Sequence, residues 1–202
     1  MKIFINKRNN KESSINKKII EMIDKKLKAT IDKHKRLFIV RIDLRFPKNI
    51  ECKKNSRVIS RFFDSLKEKL SAHEKRKKKE EKRIYPHGLE YIWVRERGPK
   101  NHQLHYHCIL LFNKDAFFTL GNFNSVGCNL YTMINTAWHS AISKDCITDG
   151  LVHASGFEKK YLCKTHESFN EDYDKWLKYL SYLAKDFSKP YKDGNRVVGC
   201  SR

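Results

Sequence analysis

Apolar residues recur at helical spacing early in the chain. Ile15, Ile19, Met22, Ile23, Leu27 and Ile31 lie three or four positions apart along one face, which predicts a basic amphipathic helix. The first dozen residues before it carry no such pattern and are expected to fray. Residues 37–46 (LFIVRIDLRF) then alternate: Phe38, Val40, Ile42, Leu44 and Phe46 face one way, and Arg41, Asp43 and Arg45 the other. That is the period of a half-buried strand, and Pro47 ends it. Val58, Ile59, Phe62, Phe63, Leu66 and Leu70 predict a second helix, which runs into residues 73–83 (HEKRKKKEEKR). Strands are expected over about 89–97 and 104–113, joined through a Gly98-Pro99-Lys100-Asn101 turn. Leu130, Met133, Ile134, Ala137, Trp138 and Ala141 predict a third helix, followed by a short strand near 151–154 and a last helix over about 170–187. The tail from 193 either adds an edge strand through Val197 and Val198 or stays loose.

After the leading helix the order is strand, helix, strand, strand, helix, strand, helix. It predicts an α+β fold in which an antiparallel sheet carries helices mainly on one face, leaving the other face open for a ligand. Residues 1–36 read as a basic helical extension and 37–202 as a single domain, since 202 residues suit one compact core. No internal repeat is visible.

Charge narrows the function. The chain has 43 Lys or Arg against 23 Asp or Glu, a formal charge of +20, so the expected partner is a polyanion, most simply a phosphate backbone. An anionic membrane surface is the rival, but the most basic stretch lacks the bulky apolar face that membrane binding needs. That stretch reads either as a solvated helix end or as a nucleic-acid contact. No apolar run approaches the ~20 residues that span a bilayer, and no signal-like apolar core follows the N-terminus. The six cysteines (52, 108, 128, 146, 163, 200) form no C-x-x-C pair, which argues against a disulfide framework or a structural zinc site. A reducing, cytoplasmic setting is expected.

Three segments carry residues suited to chemistry. In LHYHCILLFN, strand alternation puts His105 and His107 on one face, where two imidazoles can share one divalent cation. A lone H-x-H also serves as an ordinary hydrogen-bonded pair. Glu90 and Glu96 lie on the preceding strand; a hairpin brings Glu96 beside the histidines, where it either completes a His, His, carboxylate site or pairs with Arg95 or Arg97. On the last helix, at ~100° per residue, Trp176, Leu180, Leu183 and Phe187 form the expected buried stripe. Tyr182 is carried off it, with Lys185 one turn onward. A phenol so placed is either a nucleophile or a rim residue. Tyr91, Trp93 and Tyr106 are either base-stacking platforms or core residues.

Together these segments resemble the HUH endonucleases, the rolling-circle replication initiators, relaxases and related transposases. The resemblance is greatest to the filamentous-phage (inovirus) replication proteins and to their prophage-borne relatives, the YagK/YfjJ C-terminal domain family. It rests on VRIDLRFP (40–47), WVRERG (93–98), HYHCILLFN (105–113), NLYTMINTAW (129–138), GLVH (150–153) and SYLAKDFSK (181–189), in that order. It implies an HUH/RRM-like nuclease domain that nicks single-stranded origin DNA with Mg²⁺ or Mn²⁺. His105 and His107 match the metal-binding histidines, and Glu96 the acidic third ligand, with Glu90 as the other candidate. Tyr182 matches the nucleophile that forms a 5′-phosphotyrosyl link and frees a 3′-OH, and Lys185 its basic partner. Arg41, Arg45, Arg95 and Arg97 are the expected nucleic-acid contacts, and a host helicase and polymerase the expected partners in extending the 3′-OH. The sequence departs from the pattern in two places. Asp43 and Phe46-Pro47 stand where many initiators are Thr-rich, and Tyr179 precedes Tyr182 by three residues where two-tyrosine members usually show four, which leaves Tyr179 in reserve. The alternatives are a non-catalytic DNA-binding regulator on the same scaffold and a metal-dependent RNA phosphodiesterase.

Overall fold

The computed structural model describes residues 14–48, 57–98, 102–123, 129–142, 150–155 and 161–202. The elements follow the order α1 (Lys17–His34), β1 (Arg36–Arg45), α2 (Arg57–Lys79), β2 (Glu90–Arg97), β3 (Leu104–Asn113), α3 (Leu130–Ile142), β4 (Val152–Ser155), β5 (Tyr161–Cys163), α4 (Phe169–Leu180) and β6 (Val198–Cys200), with a 3₁₀ turn over Ser181–Ala184. Among the described residues six strands form one antiparallel sheet in the order β4-β1-β3-β2-β6, with β5 also pairing with β1. The fold is α+β with a leading helix, as expected. The first dozen residues and the tip of the 98–101 turn lie outside the described residues.

Both faces of the sheet are covered, which corrects the expectation of helices mainly on one. Phe38, Val40, Ile42 and Leu44 of β1 pack with Tyr106, Cys108, Leu110 and Phe112 of β3 under α2 and α3. On the second face Leu37 and Ile39 join Ile92, Val94, Ile109 and Leu111 under α1, α4 and the 3₁₀ turn. The physical reason is that β1, β2 and β3 change character along their length. Apolar residues on both faces of the first half of β1 require two-sided burial, whereas Arg41, Asp43 and Arg45 do not. The second face is therefore polar at the end where these three residues stand.

The leading helix shares this core. Asn16 caps it, its side-chain oxygen accepting from the Ile19 amide at 3.3 Å, and Lys35 closes it in the left-handed region (φ 60°). Ile19, Ile23, Leu27 and Ile31 are all buried. Ile23 is fully enclosed, so Ile23→Ala is expected to cost about 2–5 kcal/mol of the whole chain's unfolding free energy. Urea denaturation followed by a probe in the sheet checks this; an unchanged midpoint would mean that α1 folds apart from the sheet.

Two local outcomes differ from the pattern, and one open alternative is decided. The last helix stops at Leu180 and tightens into the 3₁₀ turn, after which Lys185 is extended (φ −62°, ψ 131°). A helical wheel no longer applies beyond that point, so Phe187 is 68% exposed rather than part of the buried stripe. The tail does supply an edge strand, β6, paired with β2. β5 was not predicted, because three residues with one buried side chain leave no periodic signal.

Candidate functional site

The sheet register assembles the polar end. Glu96 of β2 and Arg45 of β1 are both cross-strand partners of His105, and Asp43 is the partner of His107. Since side chains two apart share a face, His105, His107, Glu96, Asp43, Arg41 and Arg45 all stand on the second face of the sheet. Glu90, the other candidate third ligand, binds Lys26 (3.1 Å) and Ser201 (2.5 Å) instead.

The ligand atoms of Glu96, His105 and His107 lie within 4.8 Å of one another. His105 Nε2 and His107 Nε2 are 3.1 Å apart, and Glu96 Oε2 is 3.4 Å from His107 Nε2. Each histidine is held from behind. His107 Nδ1 lies 2.5 Å from Asp43 Oδ1, and His105 Nδ1 lies 3.3 Å from the Gln103 carbonyl. In the neutral form of each ring the acceptor at Nδ1 holds the proton there and leaves Nε2 as the lone-pair atom of the cluster. Two neutral imidazoles and a carboxylate, with their outer atoms satisfied, suit a divalent cation with coordination positions left for substrate oxygens. Asp43, whose role the sequence left open, is thus the carboxylate that orients His107. Its signal was its place in the β1 alternation, but the cross-strand register needed to pair it with His107 is not local information.

The titratable groups of the site shift one another. Burial presses the His107 pKa down, yet the hydrogen bonds it donates to the Asp43 and Glu96 carboxylates outweigh this and hold it above its usual value. His105 is pushed down by burial and by the charge on His107. For Glu96, burial alone would raise the pKa; the His107 bond and charge and the Lys189 charge prevail and bring it to about 2. A carboxyl depressed from 4.5 to about 2 stabilises the fold fully above pH 4.5, and that contribution is lost as pH falls through the interval. The urea midpoint of the wild type is therefore expected to fall more steeply than that of Glu96→Gln between those two pH values; parallel curves would contradict it.

The tyrosine segment lies on the same face. Tyr182 is 45% exposed, and Lys185 Nζ sits 3.6 Å from its ring centroid. Arg41 links this segment to the histidines. Its guanidinium carbon lies 5.3 Å from the Tyr182 ring and 5.6 Å from the Tyr179 ring, while its Nε is 3.9 Å from Asp43 Oδ1. Tyr179 instead packs edge-on against Trp176, 5.9 Å between centroids, beside the second core. The chain preceding α1 fastens the segment from outside. The Asn16 amide donates to the Ala184 carbonyl (2.7 Å) and the Asp186 amide to Ser14 (3.0 Å). Lys189, absent from the sequence-based set, reaches Glu96 from below at 3.2 Å.

Not every expected residue joins the site. Arg95 stands on the opposite face, 2% exposed, with its guanidinium engaged by Asp193 at 2.9 and 2.5 Å. Arg97 is half-exposed at the strand end, where it donates to the His102 carbonyl (3.3 Å). Trp93 and Tyr106 are buried in the first core, and Tyr91, partly buried, packs against it, stacked on Phe63. Among the described residues no helix is long and apolar enough to cross a membrane.

Fold and site together define a class: an antiparallel-sheet α+β protein with a two-histidine, one-carboxylate centre and a tyrosine turn above one sheet face. The chain belongs to the YagK/YfjJ C-terminal domain family, whose match covers residues 2–201. It is 40% identical over 189 residues to the uncharacterized protein YagK of Escherichia coli (strain K12), spanning 89% of this chain and 90% of that protein. It is 36% identical over 186 residues to the uncharacterized protein YfjJ of the same strain, spanning 86% and 88%. No solved structure matches the chain.

Proposed function

We propose that this protein is an HUH-type, metal-dependent endonuclease that nicks single-stranded DNA through Tyr182, in the manner of the filamentous-phage replication initiators. The observation that carries the reading is the meeting, on one polar sheet end, of the Glu96–His105–His107 centre with an exposed tyrosine that has a lysine against its ring. His105, His107 and Glu96 would hold Mg²⁺ or Mn²⁺, which when bound supplies Lewis-acid polarisation of a phosphate oxygen. The imidazole ligands favour manganese over magnesium.

The chain's own residues do the rest. Asp43 keeps the His107 Nδ1 proton in place, so Nε2 faces the centre. Lys185 Nζ lies against the Tyr182 ring and would steady the charge that develops as the phenol oxygen attacks. In the transfer, the Tyr182 phenol gives its proton to solvent as Oη bonds to phosphorus, the P–O3′ bond breaks, and the 3′ oxygen leaves with a proton taken from solvent. The phosphotyrosyl bond conserves the phosphodiester, so the reverse reaction reseals the strand without ATP. Arg41 and Arg45 flank the centre on the same face and are suited to the strand's phosphates. Action on origin DNA in the bacterial cytoplasm, with host helicase and polymerase extending the 3′-OH, is the setting this chemistry serves.

The charge of +20 suits a non-catalytic DNA-binding regulator equally well. Incubating the protein with labelled single-stranded DNA and Mn²⁺, then testing for an SDS-resistant complex, separates the two. A nickase leaves a covalent complex on single strands; a regulator leaves none. RNA cleavage without an adduct would instead favour a phosphodiesterase.

A further inference from the structure

Lys189 lies seven positions after Tyr182, and its side chain is completely buried. Lysine rarely sits so deep without partners, and here Nζ donates to three: Glu96 Oε1 at 3.2 Å, the Leu183 carbonyl at 2.8 Å, and the Lys185 carbonyl. An ammonium has three N–H donors and no acceptor, so these contacts use all of it. Leu183 and Lys185 flank the end of the turn that carries Tyr182, where the last carbonyls of a helical segment lack intrahelical donors. Glu96 is the acidic member of the candidate centre. One buried charge therefore touches both halves of the site and none of the reacting atoms.

We infer that Lys189 is a positioning residue: its ammonium ties the Glu96 carboxylate to the Tyr182 turn and so fixes the distance between the phenol and the cation site. What that distance is for rests on the nickase reading; the tie itself does not. The two lysines divide the work. Lys185 lies against the Tyr182 ring, whereas Lys189 reaches the tyrosine only through backbone carbonyls. Burying a charge for net stability would be a poor bargain, because a well-packed apolar side chain of similar volume often serves as well or better. A buried ammonium does what Met at 189 cannot, holding a carboxylate oxygen and two carbonyls at once. Hydrophobic docking of α4 through Trp176, Leu180 and Leu183 brings the turn to the sheet, but apolar contacts are not directional enough to set its register against Glu96.

Hydrogen exchange of the amides at 183–186 in the full chain, free of metal and DNA, tests the tie. Wild type is compared with Glu96→Gln, Lys189→Met and the double variant. Loss of a charged hydrogen bond is expected to speed exchange by about 10- to 100-fold in Lys189→Met. Glu96→Gln should speed it too, and the double variant no further than Lys189→Met alone. Unchanged exchange in Glu96→Gln would overturn the inference, since Lys189 would then be only a cap on the turn. If Lys189→Met does not fold, Glu96→Gln alone decides in the same way. At saturating DNA and Mn²⁺, Lys189→Met should also slow adduct formation by about 10- to 100-fold while DNA affinity stays within about twofold. The opposite split, weak binding at an unchanged rate, would count against it. Because exchange is read without DNA, a wild type that forms no adduct bears on the nickase reading alone.

Discussion

Tyr182→Phe is expected to eliminate the SDS-resistant complex with single-stranded DNA, lowering nicking by at least ~10³-fold. The substitution removes one oxygen from a residue that is nearly half exposed and keeps the ring on which Lys185 and Arg41 rest. Folding and DNA affinity should therefore be preserved, which isolates the chemical step. Tyr179→Phe is the control. Tyr179 is the more buried of the two, its ring edge-on to Trp176 beside the second core, and the variant should keep its adduct. Gel analysis of labelled DNA after SDS treatment reads both variants together. An adduct that survives in Tyr182→Phe and vanishes in Tyr179→Phe would move the nucleophile to position 179; adducts in both would remove the tyrosine mechanism.

The second large effect is on the metal. Combined His105→Ala and His107→Ala deletes two of the three proposed ligands, and Mn²⁺ affinity should fall by well over the ~100-fold that marks loss of a supporting partner. Metal-dependent nicking should go with it. Asp43→Asn keeps all three ligands but loses the carboxylate behind His107, so a smaller loss of about 10- to 100-fold is expected. The pH dependence follows from His107. Its pKa lies above the usual value, so the stabilisation from its charged form is fully present below the ordinary histidine pKa and fades as pH rises through the raised one. A cation needs the neutral ring, so Mn²⁺ affinity should climb over that same upper range. Titration calorimetry of wild type and variants at several pH values measures all of this, and pH-independent affinity matching that of the double variant would exclude His105 and His107 as ligands.

The α+β class, the antiparallel hairpin and the pairing of His105 with His107 were legible because each rests on local periodicity. Strand alternation is a property of consecutive residues, and so is the amphipathic stripe of α1 and α2. Glu96 was legible one step further, through a short hairpin. Other features were not. The second helical layer over Leu37, Ile39, Ile109 and Leu111 follows from which elements meet, not from any one strand's pattern. Arg95 and Arg97 look alike in WVRERG, yet Arg95 is buried against Asp193, a residue 98 positions away, while Arg97 reaches the same carboxylate only at 4.0 Å and stays half-exposed.

By itself the sequence determined the strand carrying two imidazoles on one side, the acid across the hairpin from them, the tyrosine off the apolar stripe of the last helix, and a charge suited to a polyanion. Only the tertiary structure decided that Asp43 stands behind His107, that Lys189 reaches both Glu96 and the tyrosine turn, that the helix breaks before Lys185, and that Phe187 faces solvent. The division has one cause. Side-chain direction within an element is fixed by backbone geometry a few residues long, whereas burial of a charge and the choice of its partners depend on register and packing between segments 60 to 170 positions apart.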